Sequence, residues 1–91
     1  MNRDAIIRAV DLKIGDTDPH IWCIGIANDP TEAKRHWAEV EKKATFFWAQ
    51  WEADSLTEAK DVIAHFVNLK GTKNGEPGGV EESGRLFVYL F

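Results

Sequence analysis

Cysteine is all but missing from this chain. Cys23 is the sole one, which excludes an internal disulfide and a cysteine-cluster zinc site. Long hydrophobic runs are missing too, since no stretch approaches the ~18 apolar residues of a membrane-spanning helix. The start, Met1-Asn2-Arg3-Asp4, puts an acid where a secretory leader would be basic. A reducing cytoplasm is therefore the expected setting, with no membrane partner. Basic excess is also lacking: 11 Lys and Arg stand against 15 Asp and Glu, a net charge of −4. That balance disfavours a general grip on nucleic acid, which depends on cations meeting phosphates.

What the chain does have is the makings of one ordered domain. Its 91 residues, 44% hydrophobic and 29% charged, have a composition that folds around a core and leave room for a single core. No repeat or low-complexity segment interrupts it. The glycine-rich stretch from Gly71 to Gly84 is the one candidate linker.

The segment Arg3 to about Leu12 is expected to be a helix. Asn2 can accept from its free amides, Asp4 suits the positive end of its dipole, and Ile6, Ile7 and Val10 form one stripe. Val10, Leu12 and Ile14 also alternate, which leaves open an extended end. Gly15-Asp16-Thr17-Asp18-Pro19 marks a turn. From His20 to Ala27 the residues are β-branched or aromatic and apolar on both faces, the pattern of a central strand. Asp29-Pro30-Thr31-Glu32 opens a helix expected to reach about Lys43 and to bury Ala33, Trp37, Val40 and Ala44. Thr45 to Trp51 reads as a second strand. Ser55-Leu56-Thr57-Glu58 is a capping box, opening a helix that runs to about Leu69 and ends at Gly71. Its core face is Leu56, Ala59, Val62, Ile63 and Phe66. Arg85 to Phe91 is the last strand, and Thr72 to Gly84 is a loop long enough to be functional or mobile.

The segment Trp22-Cys23-Ile24-Gly25-Ile26-Ala27-Asn28-Asp29-Pro30 resembles the second strand and helix entry of GIY-YIG nuclease domains. An aromatic strand, the helix at Ser55 and a glycine-rich loop before Val88-Tyr89 continue the likeness, which covers roughly residues 22–91. It implies a small, three-stranded, mainly antiparallel α+β sheet packed with three helices. The family's chemistry, metal-assisted phosphodiester hydrolysis, uses tyrosines, an arginine and a glutamate. At the matched places this chain has Cys23 for a tyrosine, Ala33 for the arginine, Trp37 for a histidine and Ile63 for the glutamate. The resemblance therefore implies a domain of that fold without its catalytic set. Arg35 and Asp61 lie two positions from the matched places, ~200° around a helix, so they point away.

Other constellations have plainer readings. Glu58, Asp61 and His65 share a helix face that suits a divalent ion or simply water. Lys34, Arg35, Lys42 and Lys43 are the candidate nucleic-acid contacts, but Glu32, Glu39 and Glu41 interleave with them. Lys70 to Gly79 has glycines but no Gly-Lys-Ser/Thr ending, so a flexible loop is favoured over a phosphate cradle. Cys23 reads as a small buried hydrophobe.

The expectation is a non-catalytic cytoplasmic interaction or structural module with no cofactor and no bound metal. Its partner is a second copy or another protein. The expected contact surface is Trp22, Trp48, Trp51, Phe87 and Tyr89, with the closing strand as a free edge. The alternative is a nucleic-acid binder, or a metal-dependent nuclease with a relocated site.

Overall fold

The computed structural model describes residues 1–75 and 80–91. Helix α1 spans Arg3–Ile14, and its Asn2 cap accepts from the Ala5 amide at 2.9 Å. The helical reading of Ile14 prevails because that side chain is buried beside Ile6 and Val10, while Leu12 is left in solvent. Pro19–Ile21 closes a single tight turn, capped by Asp18. Strand β1, Cys23–Ala27, therefore starts later than its composition predicts. Proline at the head of that turn and the Asp18 carboxylate together favour the local hydrogen bonds over a ladder.

Helix α2 covers Pro30–Arg35 and then widens, over His36–Val40, into i→i+5 hydrogen bonding. It stops short of the expected Lys43, because Lys42 takes a left-handed φ of 56° and the Lys43 amide reaches back to the Trp37 carbonyl at 2.9 Å. That six-residue closure is a Schellman stop with lysine where glycine is usual. Val40 and Ala44, expected inside, lie at the surface as a result.

Helix α3, Leu56–Ala64, ends the same way. A wide segment, His65–Lys70, leads to Gly71 at φ 75°, and the Thr72 amide returns to the Phe66 carbonyl. Here the core face and the glycine stop fall where the residues place them, and the serine half of the capping box forms, while the Glu58 carboxylate turns to the Arg3 amide instead of the Ser55 amide. The Ser55 side chain accepts from the Glu58 amide, and Ala59, Val62, Ile63 and Phe66 are buried.

The sheet corrects the three-stranded expectation: among the described residues it has four strands and is mixed, in the order β2-β4-β1-β3. β2 is Ala49–Ala53, β3 is Lys73–Asn74 and β4 is Leu86–Leu90. β4 runs antiparallel to both β1 and β2, whereas β3 lies parallel to β1. β3 was hidden in the sequence, since two exposed polar residues carry no alternation. The Lys73 amide donating to the Trp22 carbonyl and the Gly75 amide donating to the Ile24 carbonyl hold it there. The mobile-loop expectation for 71–84 falls partly on residues 76–79, outside the described residues.

β2 is also displaced from its predicted 45–51. Its partner β4 ends opposite Ala49, at Leu90, so Thr45 to Trp48 have no strand to pair with and turn instead. The strand-edge expectation for Arg85 to Phe91 is overturned as well. β4 is flanked on both sides, and its two apolar faces reflect a central position.

Because side chains alternate along a strand, the two faces of the sheet differ. On one face, Ile24, Ile26, Leu86, Val88, Leu90 and Ala53 meet α1 and α3 in the main core. The other face presents Cys23, Gly25, Phe87 and Tyr89, and here Trp37 from the wide segment of α2 comes down on the sheet.

Candidate functional site

The second face is where polar and reactive groups gather. Tyr89 is its centre: fully buried, its hydroxyl accepts from the Trp37 indole at 3.0 Å and donates to the Gly75 carbonyl at 2.7 Å. Trp48 stacks on the Tyr89 ring at 4.8 Å between centroids and on Phe91 at 5.2 Å. Phe91 in turn packs on Trp37 at 5.1 Å. Aromatic rings 4.5–7 Å apart attract beyond the area they bury. The cluster thus ties the turn before β2, the closing strand, the wide segment after α2 and the residue after β3 into one body.

Beside this cluster opens a cleft of about 350 Å3, lined by Ile21, Cys23, Trp37, Lys43, Ala44, Lys73, Asn74 and Phe91. Its walls are mostly apolar. Cys23 contributes a half-buried thiol whose pKa is pushed up by burial, against the opposing pull of the Lys73 and Lys43 ammonium groups. Burial wins because it strips water from a thiolate that the two exposed amines only partly compensate. The thiol is therefore protonated at neutral pH. The cleft can hold a ligand, but its thiol is not a poised nucleophile.

The expected site residues scatter. Arg35 is tied at 2.7 Å to Glu32 and at 3.0 Å to Glu39, and these hydrogen bonds hold its guanidinium in the charged form. Lys34 is exposed on α2, Lys42 forms the helix stop, and only Lys43 reaches the cleft.

The aromatic surface is also redistributed. Tyr89 and Trp22 belong to the interior, correcting their place in the expected contact surface. Trp22 packs in the main core with its indole donating to the Thr17 hydroxyl at 2.7 Å. Trp51 lies half-buried against that core, and Trp48 is half-buried in the stack. Phe87 is half-buried under the Arg85 guanidinium, 5.1 Å from its ring centroid, while Arg85 also pairs with Glu52 at 2.8 Å.

The residues missed are Phe46 and Phe47. They are 93% and 69% exposed, at the turn before β2, and Phe47 meets Trp22 in an edge-type contact at 6.5 Å between centroids. Ile21, next in the chain to Trp22, is 66% exposed. Their strand-like composition disguised them. Lys73 was missed because its only signal, pairing beside Cys23, is tertiary.

Of the positions matched to the nuclease family, Cys23 and Trp37 share the cleft lining, and Ile63 lies apart from them. Cys23 sits on the aromatic face, Ile63 is buried in the main core on the opposite face, and Ala33 lies half-buried on α2. Glu58 and Asp61 turn toward the start of α1. Glu58 accepts from the Arg3 amide at 2.5 Å, and Asp61 lies 3.8 Å from the Arg3 guanidinium. Comparison with family models, curated proteins and solved structures finds no match to this chain.

Proposed function

We propose that this chain is a non-catalytic cytoplasmic interaction module that associates with a second copy of itself through the turn carrying Phe46 and Phe47. The observation that carries the reading is the exposure of those two rings, 93% and 69%, on a backbone held by the Trp48 amide bonding to the Thr45 carbonyl. Burying a phenylalanine fully is worth roughly 1.5–3 kcal/mol, so two adjacent exposed rings favour contact with another apolar surface. Ile21 and Val40, both largely exposed, extend the apolar surface of the chain.

The likeness to a GIY-YIG nuclease fold enters in a limited form. It rests on the run Trp22 to Pro30, which here forms a strand, a turn and the entry to a helix. Supporting the absence of hydrolysis are the separation of Cys23 from Ile63 across the sheet and the engagement of Arg35 by Glu32 and Glu39.

Sedimentation from low micromolar to millimolar concentration tests the association. The mass of the native chain should rise with concentration, and Phe46→Ser/Phe47→Ser should remain a monomer. A native chain that is monomeric throughout overturns the reading. Magnesium-dependent cutting of a phosphodiester that is lost on changing Arg35 or Asp61 overturns its non-catalytic part.

A further inference from the structure

We propose that the cleft between the start of β1, the wide segment of α2 and β3 binds an anionic small molecule with a flat apolar body, an aromatic carboxylate being the simplest case. Its size, about 350 Å3, falls within the range of small-molecule sites, roughly 300–1,000 Å3. Trp37 and Phe91 meet at an angle of 49° and, with Ile21 and Ala44, offer an apolar wall to a planar group. Lys43 and Lys73 supply two ammonium groups to the same lining, where no Asp or Glu side chain stands among the described residues and the terminal carboxylate of Phe91 is engaged by the Cys23 amide at 2.7 Å.

That local sign is opposite to the net charge of −4. Coulomb attraction would therefore draw an anion to this place and away from the rest of the surface. The two amines arrive from segments thirty positions apart in the chain (43 and 73). Each is anchored at its backbone: the Lys43 amide on the Trp37 carbonyl and the Lys73 amide on the Trp22 carbonyl, both at 2.9 Å. Anchoring of this kind lowers the ordering cost of binding. Both ammonium groups also act on the Cys23 thiol, so their fields overlap within the cleft. A ligand with its anion between the lysines and its ring on Trp37 would cover that thiol.

The ligand chemistry follows from what the lining lacks. With two ammonium groups and no acidic side chain it disfavours a cation, and a neutral apolar molecule would leave the two charges unused. The surface pairing proposed above rests on Phe46 and Phe47, which do not line the cleft, so either proposal can fail without the other.

The probes are 1-naphthoate and the neutral 1-naphthylmethanol, titrated into the full chain carrying Phe46→Ser/Phe47→Ser, which removes self-association as a competing effect. Naphthoate should shift the amide resonances of Cys23, Trp37 and Lys73, slow the alkylation of Cys23, and bind about tenfold or more tightly than the alcohol. Its advantage should shrink with added salt. Lys43→Glu/Lys73→Glu should abolish the preference, Lys43→Gln/Lys73→Gln should weaken it, and Lys34→Glu should leave it intact. Equal affinity for the two probes, no binding, resonance shifts centred elsewhere, or naphthoate binding untouched by both double substitutions would overturn the proposal.

Discussion

The ring of Tyr89 lies directly across Gly25, its cross-strand partner, so closely that a Cβ at position 25 would overlap the tyrosine hydroxyl and ring. The glycine is there because the aromatic cluster needs a Tyr89 that lies flat on the sheet. That one approach sets the depth of the second face and aims the Tyr89 hydroxyl at Trp37 and Gly75.

Gly25→Ala should accordingly destabilise the fold by about 1–3 kcal/mol through overpacking, because the obstacle is a buried ring without room to withdraw. Tyr89→Phe should cost a similar ~1–3 kcal/mol by another route. It leaves the Trp37 indole and the Gly75 carbonyl without the hydroxyl between them. Denaturant unfolding checks both, and native stability in either variant would contradict the packing described.

Lys42 is the one non-glycine residue with a positive φ among the described residues, at 56°. The left-handed conformation costs an ordinary residue roughly 1–2 kcal/mol, and glycine escapes most of it. Lys42→Gly should therefore raise stability by about 1 kcal/mol, a shift of several degrees in melting temperature. Gly71→Ala should do the reverse, for its φ is 75° and an added Cβ would run into the His20 ring.

The Cys23 thiol has its pKa raised, first by burial, with Lys73 and Lys43 pulling the other way. A raised pKa means that the folded state holds the proton longer than the unfolded chain does. Stability from this group is then fully present below the ordinary thiol range and is lost as pH climbs through the folded value. Alkylation by iodoacetamide should be slower than that of a free thiol at neutral pH and rise at more alkaline pH than usual. Cys23→Ala should remove that part of the alkaline loss of stability seen in unfolding experiments across pH.

Phe46 and Phe47 should matter for association and hardly at all for folding. Being exposed, they bury little in the isolated chain, so Phe46→Ser/Phe47→Ser should change unfolding free energy by no more than about 0.5 kcal/mol. A large loss of stability would mean that the two rings pack inside the domain.

Ser55 accepts from the Glu58 amide at 3.1 Å at the head of α3. Ser55→Ala should cost about 0.5–2 kcal/mol, measurable by thermal unfolding, while Ser55→Asp should keep most of the stability because a carboxylate caps equally well.

What could be read from the residues was local. The caps at Asn2, Asp29 and Ser55, the glycine stop at Gly71 and the inward stripe of α3 are short-range hydrogen bonds and spacings, which a chain specifies within a few positions. The central place of β1 also showed, since a strand apolar on both faces needs cover on both. Pairing was decided elsewhere. The same both-sided apolarity at β4 fits a free edge as readily, although the strand lies between β1 and β2. The aromatic run at Phe46 and Phe47 became a turn because β4 ends opposite Ala49. Two polar residues, Lys73 and Asn74, became a strand because the backbone of β1 was open to them. Only that pairing brings Lys73 to the cleft beside Lys43 and Cys23. Composition can say that a segment is able to pair, but which groups meet depends on where its partner begins and ends, and that is settled when distant parts of the chain pack together.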